Sequence, residues 1–214
     1  MTTEFGAPPP GEDFPPLLPR VAAIVTRDHG PERELLLVRA GTTAPQFPDA
    51  TVALNETPAD AVMRLPLALL GQPVARLDRR IAVVRETLAD NMRAVVRPTL
   101  LRTGPNHEAT LMRFPLERGM RVKVTEWQDE FARVAYEEYA FHENELAIAS
   151  RRAGWLTVDV LAAQIEHHLF HLSTGKYAPA PVDQSAVWLP LARATGLMPL
   201  HDHWLERARA LLTR

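Results

Sequence analysis

Two carboxylates four residues apart, Glu86 and Asp90, have a spacing that can do chemistry. On a helix they share one face, which is the geometry a single divalent cation requires. The same pair on an Arg-rich segment also reads as a solvated, salt-bridged surface. Glu56 stands just before a Thr-Pro helix start, where a carboxylate is either a ligand or a group favoured by the helix dipole. In IEHHLFH, His167 and His171 lie four apart with His168 between, a spacing that can hold zinc if a third ligand arrives, for instance from His201–His203. No HExxH and no cysteine supports that reading, and the alternative is an amphipathic helix with Ile165, Leu169 and Leu172 inward. Glu137, Glu138, Glu143 and Glu145 offer a further base or ligand, or simply a charged surface. Trp127, Trp155, Trp188 and Trp204 are core or interface candidates, and only Trp127, near a loop, is placed to stack on a base.

The elements that must position these groups follow from periodicity. RVAAIVTR (20–27) and ELLLVRA (34–40) read as two strands joined by a polar turn. Thr57-Pro58 predicts a helix start, because proline is tolerated in a first turn whose N–H groups have no partner. Pro66 predicts a break near Leu65, since it removes the bond to the Val62 carbonyl. In 76–96, Ile81, Val84, Leu88, Met92 and Val95 recur at three- and four-residue steps and predict a second helix. RPTLLRTG and EATLMRF predict short strands, RGMRVKVTE a loop or short strand, and 131–141 either helix or strand. A helix is expected from Thr157 or Asp159 to Gly175, and two more over 184–195 and 201–213.

With 214 residues, 46% hydrophobic, the chain can build a sizeable core. A formal net charge of −2 with dispersed arginines gives no electrostatic case for nucleic acid or an anionic membrane. The absence of cysteine excludes disulfides and thiol chemistry. No signal-peptide pattern or spanning apolar stretch is evident, so the expected location is cytoplasmic. Residues 1–19, rich in Pro and Gly, are expected to form an extended lead-in.

FPDATVALNETPADAVMRLPLALLG (47–71), behind those two strands, resembles the signature of the Nudix hydrolases, G-x5-E-x7-R-E-U-x-E-E-x-G-U. Without a gap, Ala50 takes the first Gly, Glu56 the first Glu, Arg64 the Arg and Gly71 the last Gly. GWLTVDVLAA resembles the Trp-plus-helix element that closes many such domains. In that family the helix carboxylates hold Mg²⁺ or Mn²⁺, which neutralise a diphosphate and activate water. Here R-E-U-x-E-E reads Arg64-Leu65-Pro66-Leu67-Ala68-Leu69, without an acid. A second register, RIAVVRETLADN (80–91), resembles the catalytic helix of members with an insertion, matching Arg85 and Glu86 and placing Asp90 at an acid position.

The resemblance implies an α/β fold, a mixed sheet sandwiched between helices with extra C-terminal helices. It implies a domain over 20–175 and a helical extension over 176–214. It further implies a divergent metal-dependent hydrolase of a nucleoside diphosphate-linked compound, with Glu86 and Asp90 as metal ligands, Arg85 orienting them, Glu56 contributing from the loop and Arg64 tying loop to helix. The alternative is a Nudix-like protein that has lost hydrolysis and binds a nucleotide-like ligand or a protein partner; a homodimer is also possible.

Overall fold

The computed structural model describes residues 16–30, 32–39, 44–142, 145–176 and 178–212. Residues 1–15 of the expected lead-in, Glu143 and the Glu145 side chain lie outside them. The described residues divide into two compact units, 19–84 with 167–212, and 16–18 with 85–166. That division differs from a 20–175 domain followed by an appendage: the last forty residues belong with the first strands, and a middle segment forms a unit of its own.

The first unit is built on β1 (Leu17–His29), β2 (Glu32–Val38), β3 (Asp49–Thr51), β4 (Ala75–Thr87), β12 (Gln164–Thr174) and β13 (Ala186–Pro190). Their order is β13-β2-β1-β12-β4, with β3 also pairing β1. Side chains alternate across a strand, and here both faces are apolar. Val21, Ala23 and Val25 of β1 join Leu36, Phe170 and Leu172 against Ala61, Val62 and Leu70 of α1 (Pro58–Leu70). Ala22 and Ile24 join Leu35, Leu37 and Leu169 against Trp204, Leu205 and Ala208 of α2 (Pro199–Leu212). The unbroken apolar run AAIV is therefore the mark of a strand covered on both sides. One helix on each face makes this an α/β sandwich, the expected fold class.

The expected set of C-terminal helices reduces to α2. Residues 186–190 are instead an edge strand on β2, with Trp188 opposite Leu36, and a 3₁₀ turn over Leu191–Arg193 follows. α2 is thus the second helical layer of the sandwich rather than an addition to it.

The helix expected over 76–96 does not form. β4 occupies Ala75–Thr87 and β5 Met92–Val95. Ile81, Val83, Val84 and Thr87 are β-branched and suit a pleated surface, and β4 finds a ladder partner in β12. The stripe that suggested a helix is split among separate cores: Leu88 packs with Leu18, Ala94 and Ile165, and Val95 with Leu101 and Leu156. The helix expected up to Gly175 is likewise a 3₁₀ turn (Val158–Val160), the two-residue β11 (Leu161–Ala162) and β12. In both cases sheet pairing overrides the helical pattern.

The second unit holds a seven-stranded sheet, β11-β5-β8-β9-β10-β6-β7. Its remaining members are β6 (Thr99–Arg102), β7 (Leu111–Leu116), β8 (Arg121–Gln128), β9 (Phe131–His142) and β10 (Glu145–Thr157). Its ladders among the described residues are antiparallel, and β9 and β10 form a long hairpin. Val122, Val124, Val134, Leu156 and Leu161 fill its core. Among the described residues no helix is long and apolar enough to cross a membrane.

Candidate functional site

The loop from Pro45 to Thr57 and the start of α1 hold the residues of the gap-free motif. Backbone bonds fasten this loop to the sheet: Ala23 N–H donates to the Pro48 carbonyl (2.9 Å) and Val52 N–H to the Pro19 carbonyl (3.0 Å). Arg20 of β1 pairs with Asp49. Phe47 is fully buried, and its N–H donates to His201 Nδ1 on α2 at 3.1 Å. That bond requires Nδ1 to be the unprotonated nitrogen, so the neutral ring carries its proton on Nε2. Burial is the main reason the His201 pKa falls to about 4; Asp49 opposes the shift, while His167 and Arg20 add to it.

Glu56 and Arg64 meet in a two-pronged ion pair, Arg64 Nε to Oε1 at 2.5 Å and Nη2 to Oε2 at 2.8 Å. Ala53 N–H donates to the same carboxylate at 3.1 Å. The Arg64 hydrogen bonds, helped by the Ala53 N–H, hold the Glu56 pKa below the usual carboxylate range, and the pair holds that of Arg64 up. Glu56 is therefore an ionised strut between loop and helix. Thr57 caps α1, accepting from Asp60 N–H at 3.2 Å and donating to the Asp60 carboxylate at 2.6 Å. The three carboxylates nearest the motif each have a partner within the protein.

α1 runs through Pro66 to Leu70 without the expected break. Ala61, Val62, Pro66 and Leu70 are buried against the sheet, and this packing offsets the lost bond to Val62. Gly71, in the left-handed conformation at φ 69°, closes the helix by donating to the Leu67 carbonyl. The helix presenting the motif is whole, and the positions corresponding to its acids are Leu65, Ala68 and Leu69. These side chains have no oxygen donors and do not fit Mg²⁺ or Mn²⁺.

The second register loses its geometric premise. Glu86 lies near the end of a strand and receives a bond from Arg121 at 3.1 Å; Asp90 lies in the turn after it. Arg85 pairs with Glu166 at 3.1 Å rather than orienting Glu86. The one-turn spacing of the two acids does not exist, because the segment is extended. Nor do His167 and His171 converge: four residues along a strand span about 13 Å, too far for one zinc ion. His171 turns to Asp78, and the His167 ring lies 5.3 Å from that of Trp204. Glu137 pairs with Arg151, and Glu138 accepts from Ser150. Among the described residues, no three His, Cys, Asp or Glu side chains cluster as a metal site.

The contacts missed from sequence are Arg20–Asp49 and Phe47–His201, both joining distant parts of the chain. Only the polar Asp49 beside an otherwise apolar strand could have hinted at the first.

Similar solved structures include the Caenorhabditis elegans Ap4A hydrolase, at 8% identity over 92% of this chain and 98% of that one, with a TM-score of 0.46. The NUDIX domain of Shewanella oneidensis NrtR complexed with ADP ribose is similar at 13% identity, over 93% and 90%, with a TM-score of 0.48. A mutT/nudix family protein from Listeria innocua shows 13% identity over 92% and 94%, with a TM-score of 0.47. No protein-family model and no curated protein matches the sequence.

Proposed function

We propose that this chain is a Nudix-like protein that no longer cleaves pyrophosphate at α1 and works by binding a nucleotide-like diphosphate ligand at the loop over 45–57. One observation carries this reading: α1 is a complete, well-capped helix whose acid positions are aliphatic. A damaged helix would have pointed to decay of the element; an intact one stripped of oxygen donors preserves the scaffold while removing the chemistry that a hard cation supplies. The Glu56–Arg64 strut and the Phe47–His201 bond keep the loop in one conformation, as a binding loop requires.

The test is a panel of diphosphate compounds (dinucleoside polyphosphates, nucleoside diphosphate sugars and ADP-ribose) offered with Mg²⁺ or Mn²⁺. Product release is read beside calorimetric binding. Saturable binding without product is the expected result. Turnover that disappears in Glu56→Gln would overturn it and restore the divergent hydrolase reading.

A further inference from the structure

At the opposite end of β1 from the Arg20–Asp49 pair lies a cavity of about 440 Å³, formed by β1, β2, β4 and β12. Six residues of strand, about 20 Å, separate Arg20 from Thr26 at its wall, so it is distinct from the loop of the motif. Four guanidinium groups line it, Arg27, Arg33, Arg76 and Arg79, against two carboxylates, Asp28 and Asp78. A larger cavity in the other unit, about 630 Å³, has Arg97 and Arg102 balanced by Glu130 and Asp159 and carries no preference for either sign.

The arginines differ in what occupies them. Arg27 is held by Glu34 at 2.6 Å, by the Ala178 carbonyl and over the Trp188 ring. Arg33 gives Nε to Asp28 and Nη1 to the Leu212 carbonyl, and Arg76 gives Nε and Nη2 to Asp78; among the described residues each keeps one terminal nitrogen uncommitted. Arg79 pairs with no carboxylate among the described residues. Asp78 is also fixed from behind: its Oδ2 lies 3.3 Å from His171 Nδ1, and His171 Nε2 lies 3.0 Å from the Thr26 hydroxyl. A carboxylate beside Nδ1 places the ring proton there, so the hydroxyl donates to Nε2. Ser173, on the strand that carries His171, adds a hydroxyl to the wall.

We propose that this cavity is an anion site that takes a phosphate group, met by Arg79 and the free nitrogens of Arg33 and Arg76, with the Ser173 hydroxyl as a neutral donor. The chemistry is that of tetrahedral oxyanions: several forked donors converge from different strands, with one guanidinium that pairs with no carboxylate among the described residues. The Asp78–His171–Thr26 chain holds the wall in position and does not itself neutralise the ligand.

The test is calorimetric titration of the full chain with inorganic phosphate, pyrophosphate and ADP, with the His171 ring signals followed by NMR. Saturable binding that perturbs His171 is expected, weakened about tenfold in Arg79→Gln and more modestly in Ser173→Ala, while Arg207→Gln on the exposed side of α2 binds as the parent does. Circular dichroism and melting confirm that each variant is folded. ADP binding tighter than pyrophosphate assigns the group to a nucleotide; equal or weaker binding assigns it to the free anion. The proposal is overturned by no saturation at about 10 mM ligand, by equal affinity in Arg79→Gln and parent, or by binding that leaves the His171 signals unmoved. It stands independently of the reading of α1, because Arg79→Gln leaves the loop over 45–57 untouched.

Discussion

His201 is a buried base whose nitrogen is already used, and that couples the molecule to acid. Unfolded, its imidazole titrates near 6.5; folded, near 4. The folded pKa is the lower one, so the unfolded chain binds the extra proton between these values, and stability falls as pH drops. About 3 kcal/mol is present above pH 6.5 and is lost progressively toward pH 4. Urea midpoints taken from pH 7 to pH 4 should show this slope, and His201→Gln should flatten it while costing about 1 kcal/mol at pH 7. Parallel profiles for the two proteins would show that another group carries the acid sensitivity. The Glu56–Arg64 pair belongs to the same scale with a smaller consequence. Arg64 is half exposed, so a double-mutant cycle with Glu56→Gln and Arg64→Met should return a coupling of under about 1 kcal/mol. These two residues were legible from the motif that the segment resembles. Their role as strut was not, because the same spacing serves an active enzyme.

Among the elements, α1 depends on its ends. Gly71 sits at φ 69°, and a Cβ there would meet Val182 Cγ1 at 3.2 Å. Gly71→Ala should therefore cost about 1–2 kcal/mol, read as a lower denaturant midpoint at unchanged slope. The harsher position is Gly154 in β10, where a Cβ would lie 2.9 Å from the Arg102 carbonyl oxygen and 2.9 Å from Leu101 Cβ. Backbone cannot yield as a flexible side chain can, so Gly154→Ala should cost at least about 2 kcal/mol or prevent the seven-stranded sheet from forming. Retention of parental stability would mean that β6 and β10 separate there at little cost. The strand–turn–strand start and the capped start of α1 were readable because their signals are local, a continuous apolar run and Thr-Pro; its run through Pro66 to Gly71 was not, because it depends on burial against the sheet. The segments 76–96 and 157–174 were misread because apolar residues three and four apart satisfy a helix while the β-branched residues between them satisfy a strand. Only the availability of β12 and β4 for each other decides between the two.

At the scale of the whole molecule, ligand binding and stability are linked, since anything bound only by the folded state raises the melting temperature. The aliphatic acid positions of α1 imply that about 10 mM MgCl₂ should move the melting midpoint by less than about 1 °C. A rise of several degrees, lost in Glu56→Gln, would locate a metal at the motif after all. The division of the chain into two units was not visible in the sequence, where no linker or change of composition marks residues 85 and 166. An inserted sheet keeps the same mixture of apolar and charged residues as its host, so composition carries no boundary.

By itself the sequence determined the sandwich's first two strands, the motif loop, the cap of α1, and the loss of oxygen donors along that helix. Each of these is a property of side-chain type and nearest neighbours. Tertiary structure alone decided that Glu86 and Asp90 do not share a face, that His201 fastens the loop, and that arginines from residues 27 to 79 line one cavity. Those outcomes depend on which strands find each other, and hydrogen-bonding partners far apart in the chain leave no mark on local spacing.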